Sequence, residues 1–273
     1  IHEKYPEIRL IGSAGPDITS DRYRDAWEFY REAAAGNPDF CYAVDEHYYV
    51  KQEWFYDHVD FYDDYPRNVK VFAGEYAAHP FGGLNHPGAN TLAGALAEAA
   101  FLTGIEKNAD VVILASYAPL FARIGFAQWA PDMIWFDERE TYPTASYYVQ
   151  KLYGENMGTV LVPMHGQEKE LQKERVYVSL SFDERAGEYI IKAVNASKEA
   201  KALELFDAEE KPVRGTAVIK ELKGPDDGAA CGSVASGGKC SRPEAVSYEE
   251  RDTEISGTLM LAPESFVAVR VKE

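Results

Sequence analysis

The side chain best placed to do chemistry is Glu75, in Val69-Lys-Val-Phe-Ala-Gly-Glu-Tyr-Ala-Ala78. Val69, Val71 and Phe72 read as a short buried strand, with Gly74 and Glu75 at the end where a strand meets a loop. A carboxylate there is costly unless it is solvated, paired or used. Gly74 removes a side chain beside it, so a ligand or another backbone can come close. Upstream, Phe-Cys-Tyr-Ala-Val over residues 40–44 leads into Asp45, Glu46, His47, Tyr48 and Tyr49. Two successive strands thus end in ionisable and aromatic groups, as catalytic residues do at the C-terminal face of a β/α barrel. The plainer reading of Glu75 is a salt-bridged strand-end carboxylate, and that of His47 a histidine bonding a neighbouring acid. Asp45 and Glu46 read as structural partners rather than catalysts.

The elements that must carry these residues alternate. Ile8 to Ser13 reads as a strand, followed by a helix capped at Ser20 or Asp21 and running to about Ala35. After the strand ending at Tyr49, Glu53 to Tyr65 reads as a helix, and the strand of Glu75 follows. His79 to Asn90 is too rich in Gly and Pro for a helix and reads as a rim loop. Thr91 to Glu106 is a strong helix with Leu92, Ala95, Leu96, Ala99 and Leu102 on one face. Val111 to Ala115 is a fourth apolar strand. Four strand–helix repeats with strands apolar on both faces signal parallel βαβ units. They amount to half of an eight-stranded barrel, with a small open parallel sheet as the competing architecture. Gly125 to Glu140 reads as an aromatic-rich loop and Thr144 to Tyr153 as a last helix.

After Gly154 the pattern becomes antiparallel. Val176 to Phe182 and Tyr189 to Asn195 alternate and form a hairpin. Ala202 to Phe206, Ala217 to Leu222, Ile255 to Leu261 and Ser265 to Val271 continue the theme, giving a β-sandwich. The expected division is therefore 1–154, half of a (β/α)8 barrel, and 155–273, an antiparallel β-sandwich without a catalytic constellation. Residues 224–244 read as a poorly ordered loop.

Composition narrows the partners. With 28 Lys and Arg against 45 Asp and Glu, the net charge of −17 disfavours nucleic acid and anionic membrane, and no apolar run approaches the roughly 20 residues of a membrane span. The 18 tyrosines suit sugar binding or a tyrosine-rich core. No CxxC or HExxH pattern indicates a metal. Cys41 reads as a buried hydrophobe, whereas Cys231 and Cys240 are free thiols or a small disulfide loop, depending on compartment. Ile1 to Glu7 reads as the end of a helix in a longer protein, which leaves localisation open. A half barrel exposes strand edges, so self-association, a homo-oligomer included, is expected.

Five ordered motifs carry a family resemblance: residues 8–16 (Ile-Arg-Leu-Ile-Gly-Ser-Ala-Gly-Pro), Asp45-Glu-His-Tyr-Tyr49, Phe72-Ala-Gly-Glu-Tyr-Ala77, Ala115-Ser-Tyr-Ala-Pro-Leu120 and Gln128-Trp-Ala-Pro-Asp132. Together they resemble the C-terminal half of glycoside hydrolase family 51 α-L-arabinofuranosidases. The resemblance implies a retaining hydrolase of terminal α-L-arabinofuranosyl residues in polysaccharides or oligosaccharides, acting without a cofactor. It assigns Glu75 as nucleophile, and His47 and Tyr49 as residues flanking the sugar and hydrogen-bonding around the nucleophile. Ser116, Tyr117, Gln128 and Trp129 match pocket positions less closely. The residues themselves leave Tyr49 and Tyr117 open to simple packing, and Trp129 and Trp135 open to packing or sugar stacking. The family's acid/base glutamate, which follows an Asn on an earlier strand, has no match here. Glu155-Asn156 has the reverse order. The chain alone is thus expected to be inactive, and a non-catalytic carbohydrate-binding or interaction fragment is the alternative.

Overall fold

The computed structural model describes residues 1–37, 39–79, 87–225 and 242–272. Cys231 and Cys240 lie outside the described residues, as do parts of the two loops expected over 79–90 and 224–244. Cys41 is buried and unbridged.

The first unit runs β1 (Ile11–Ser13), α1 (Asp21–Gly36), β2 (Ala43–Val50), α2 (Gln52–Asp57), β3 (Lys70–Ala78), α3 (Leu92–Lys107) and β4 (Val112–Ala115). The four strands form one parallel sheet in the order β1-β2-β3-β4. Side-chain hydroxyls set the helix starts: Ser20 Oγ accepts from Tyr23 N–H and Thr91 Oγ1 from Gly94 N–H, satisfying donors that the first helical turn leaves free. One face of the sheet, including Val44, Tyr48, Val71 and Ala73, is buried with the helices. The opposite face carries Asp45, His47, Phe72 and Glu75 and is only partly covered, with Ile11 44% and Leu114 52% exposed.

Three elements differ from the expectations. Residues 53–65 are helical only to Asp57. The chain then turns back, so that Tyr62 and Tyr65, together with Tyr48, donate their hydroxyls to the buried carboxylate of Glu46. A fully buried acid needs such donors, and Arg67 in turn donates to the Tyr62 and Asp63 carbonyls in the turns that follow α2. The stretch expected as an aromatic loop instead builds a three-stranded sheet from β5 (Phe121–Arg123), β6 (Ile134–Phe136) and β7 (Thr141–Pro143), packed around buried Trp135. Residues 1–7 form turns rather than a helix.

Next come α4 (Ala145–Glu155), β8 (Val160–Leu161), α5 (Glu168–Lys173), β9 (Val176–Asp183), β10 (Glu188–Asn195), β11 (Lys201–Glu204), β12 (Arg214–Lys223), β13 (Ser247–Ser256), β14 (Thr258–Leu261) and β15 (Ser265–Lys272). The strand expected over 255–261 is interrupted at Gly257 and divided between β13 and β14. The acidic residues 247–254, too polar to read as a strand, form most of β13. A six-stranded antiparallel sheet, β13-β12-β15-β10-β9-β8, packs one face against the β11–β14 ribbon through Ile191, Ile219, Val267 and Val269. Its other face, through Val194, Leu222, Phe266 and Ala268, joins the core of the first unit.

Helix α3 lies where the two units meet and is buried along nearly its whole length. Its small residues make that possible: a Cβ on Gly104 would stand 1.8 Å from the Val59 carbonyl oxygen. Glu106 of α3 receives the ammonium of Lys192 and the hydroxyl of Ser179 from the antiparallel sheet. Lys192 is fully buried, with its ammonium 5.1 Å from the Tyr153 ring centre. Glu106→Gln is expected to destabilise the chain by about 3 kcal/mol, because it strands a buried cation. Lys192→Met is expected to cost less, because the Glu106 side chain keeps 17% exposure. Urea unfolding of both variants checks the order.

Candidate active site

Glu75 reaches the open face of the sheet because β3 is irregular. Asp45 pairs with Phe72 and Glu46 with Ala73, but His47 pairs with Glu75, so Gly74 is an extra residue in the ladder. Strict alternation would group Glu75 with Val71 and Ala73 on the helix-covered face. The bulge moves it to the face of Phe72. The space that Gly74 leaves is filled by Asp45: a Cβ there would sit 1.9 Å from Asp45 Oδ1. The sequence suggested room for a ligand or backbone, and the occupant is a carboxylate.

Four side chains converge. Tyr49 donates its hydroxyl to Glu75 Oε2 at 2.6 Å. His47 Nδ1 stands 3.4 Å from the same oxygen, and His47 Nε2 lies 2.9 Å from Asp45 Oδ2. Among the described residues Glu75 Oε1 receives no hydrogen bond, and the Glu75 side chain is 42% exposed. The bond to Asp45 raises His47 above the usual histidine range, against the opposing effect of burial, with the charges of Asp45 and Glu75 adding to the rise. Burial, followed by the Glu75 carboxylate, pushes the Tyr49 phenol far up, so it remains a donor.

The other expected residues are more dispersed. Ser116, the residue after β4, donates to the Gly74 carbonyl at 2.5 Å and holds the bulge. Tyr117 is 4% exposed and packs edge-on to Tyr76 in the core. Gln128 and Trp129 lie exposed between β5 and β6, and Trp129 makes no ring contact among the described residues. Two neighbours had no clear signal in the sequence. His79, whose ring is 5.4 Å from Tyr49, lies just past β3 and is shifted down by burial. Asp132 is buried and pushed up to about 6 by that burial; its backbone N–H bonds Asn90 Oδ1. Among the described residues no three His, Cys, Asp or Glu side chains are grouped to hold a metal, and no helix is long and apolar enough to cross a membrane.

A family model for the α-L-arabinofuranosidase C-terminal domain matches residues 74–259, from the bulge glycine through most of the antiparallel sheet. The chain belongs to the family 51 α-L-arabinofuranosidases. Relatives in this family include an extracellular exo-α-L-arabinofuranosidase of Streptomyces chartreusis, 44% identical over 164 residues, which covers 60% of this chain and 18% of that protein. α-L-Arabinofuranosidase 2 of Arabidopsis thaliana is 31% identical over 220 residues, covering 73% of this chain and 32% of that protein. The chain therefore spans less than a third of the length of either. Among solved structures, an arabinose-bound family 51 α-L-arabinofuranosidase aligns with a TM-score of 0.75 at 26% identity, over 99% of this chain and 41% of that one. The arabinose complex of the Thermotoga maritima α-L-arabinofuranosidase has a TM-score of 0.71 at 16% identity, covers 100% of this chain and 59% of that one, and shares the fold.

Glu98 of α3 stabilises the strand end beyond Glu75: its Oε1 accepts from the Ala78 N–H at 2.8 Å, while Oε2 is buried without a partner. Burial raises its carboxyl from the ordinary 4.5 to about 7. The folded form therefore holds the proton more tightly than the unfolded form. The resulting stabilisation, on the order of 3 kcal/mol, is complete below the unfolded value and lost as pH rises through the folded one. Glu98→Gln is expected to flatten this slope between about pH 5 and about pH 8 in urea unfolding.

Proposed function

We propose that this chain is the nucleophile-bearing part of a retaining glycoside hydrolase that releases terminal α-L-arabinofuranosyl residues from arabinose-containing polysaccharides or oligosaccharides. The observation that carries the reading is the convergence of Tyr49 and His47 on one oxygen of Glu75. Oε2 accepts the Tyr49 hydroxyl and lies 3.4 Å from His47 Nδ1, which leaves Oε1 to attack the anomeric carbon. In the first step the Glu75–C1 bond forms as the bond from C1 to the leaving oxygen breaks, and a second carboxyl group gives that oxygen its proton. The same group then takes a proton from water, which attacks C1 and frees Glu75. Asp45 is not suited to this second role, because one oxygen is bound to His47 and the other is buried against Gly74. The acid/base group is therefore expected from the parent protein outside these residues.

In this reading residues 1–154 are the second half of a (β/α)8 barrel and residues 155–273 an antiparallel β-sandwich. The unbroken order of four parallel strands supports the half barrel, as do exposed Ile11 and Leu114 on the face that a closed barrel would fill. His47 and Tyr49 are assigned to nucleophile and sugar, Ser116 to the bulge, and Gln128 and Trp129 to the rim of the sugar site. The chemistry needs no cofactor.

In the parent protein, Glu75→Ala is expected to abolish hydrolysis of an aryl α-L-arabinofuranoside. Added azide should restore release of the aryl group and give an arabinosyl azide of inverted anomeric configuration. Azide rescue with retained configuration, or undiminished activity, would remove Glu75 from the role. Tyr49→Phe should lower kcat about 10- to 100-fold, the loss expected for a hydrogen bond to a charged group. The 273-residue chain alone should show only background turnover; turnover that Glu75→Gln abolishes would mean that both carboxyl groups are present.

A further inference from the structure

His47 stands between two acids. Its Nε2 faces Asp45 Oδ2 at 2.9 Å and its Nδ1 faces Glu75 Oε2 at 3.4 Å. Only the Nε2 contact is a hydrogen bond, and Nδ1 is buried without one; an imidazolium places a positive charge between the two carboxylates, which a neutral ring with its single N–H does not. Asp45 is itself tightly placed. Its Oδ1 is buried without a partner, in the space where residue 74 lacks a Cβ. Leaving an acceptor unpaired carries a desolvation cost, yet this placement keeps Oδ2 on the imidazole. Asp45 and Glu75 are the charged groups facing His47 across β2 and β3. Tyr49 lies edge-on at 6.4 Å between ring centres and stays neutral. Opposite Asp45, β1 presents Ser13, which does not titrate in this range.

We propose that Asp45 is a positioning residue for the reaction: seated in the gap left by Gly74, it holds His47 as an imidazolium with Nδ1 turned toward Glu75. The glycine before the nucleophile is then an electrostatic requirement as well as a steric one, because any side chain at position 74 displaces the acid that keeps the imidazole charged. The positive ring and the Tyr49 hydroxyl together draw on Oε2 and fix the carboxylate plane, while Oε1 stays free. Deprotonation of His47 removes one of the two anchors. Activity should then fall on the alkaline side as the ring loses its proton, and the position of that fall should depend on Asp45.

The kinetic half of this inference rests on the proposed glycosidase reading, whereas the Asp45–His47–Glu75 coupling does not. Two measurements separate them. In the 273-residue chain, the His47 titration is followed by NMR of histidine-labelled protein, with the resonance assigned by its loss in His47→Gln. Asp45→Asn should lower the midpoint by about 1 unit or more, the usual effect of removing an opposite charge in contact. Gly74→Ala should lower it in the same direction. An unchanged midpoint in folded Asp45→Asn would overturn the proposal, and should Gly74→Ala fail to fold, Asp45→Asn decides alone. In the parent enzyme, the alkaline limb of the kcat profile should move to lower pH in Asp45→Asn by the amount the NMR midpoint moves, with KM changed much less than kcat. A variant whose limb stays in place while the midpoint moves would refute the link to catalysis. A wild-type parent without arabinofuranosidase activity would refute the glycosidase reading and leave the titration to judge the coupling.

Discussion

The site depends on one extra residue in one strand. Without the bulge at Gly74, the alternation of β3 would turn Glu75 into the apolar layer under the helices, where an unpaired carboxylate is costly. With it, Glu75 emerges opposite His47 on the open face. The bulge is held from three sides: the Asp45 carboxylate fills its gap, the Ser116 hydroxyl bonds its carbonyl, and the Glu98 carboxyl bonds the strand end four residues after it. A strand kinked at one point is thus fixed by polar contacts from β2, the residue after β4 and α3, and the Glu75 side chain inherits their rigidity.

A division of labour runs along β2. Alternate residues serve opposite faces: Asp45, His47 and Tyr49 address Glu75, whereas Glu46 and Tyr48 point into a buried cage of tyrosine hydroxyls. Burial raises the Glu46 carboxyl despite those hydrogen bonds, so the back of the strand accepts a desolvated acid in order to tie the turns after α2 to the sheet. The open face carries the exposed, chemically addressable groups. One short segment therefore anchors the fold with one set of residues and orients Glu75 with the other.

Much of this was legible in the sequence. The apolar run at 69–72, the small-residue helix over 91–106 and the change to alternation after residue 175 each mapped onto real elements, because their patterns reflect burial on one or both faces; the run at 40–44 only leads into β2, which starts at Ala43. Glu75, His47 and Tyr49 could be found because they follow apolar runs, although β2 continues to Val50 and β3 to Ala78, so that Glu75 lies within its strand rather than at its end. What escaped has physical reasons. Tyr62 and Tyr65 keep helical spacing but are recruited by Glu46, a long-range demand invisible in a local window. The strand β13 is nearly all polar because it is an edge strand paired on one side to β12, and its acidic residues pattern like a loop. The seat of Asp45 beside Gly74 is not legible in the sequence because the bulge that creates it depends on the register between two strands, which no spacing within one strand reveals.

The burial of α3 between the parallel sheet and the antiparallel sheet has an evolutionary corollary. A helix that flanks a sheet ordinarily shows one side to water, but here α3 and α4 pack against the antiparallel sheet, down to a lysine from that sheet sealed against Glu106. Moving the parallel-sheet unit into a different genetic context without the antiparallel sheet would expose a greasy flank and an orphaned acid. The two units are therefore expected to travel through duplication and fusion as a single heritable block.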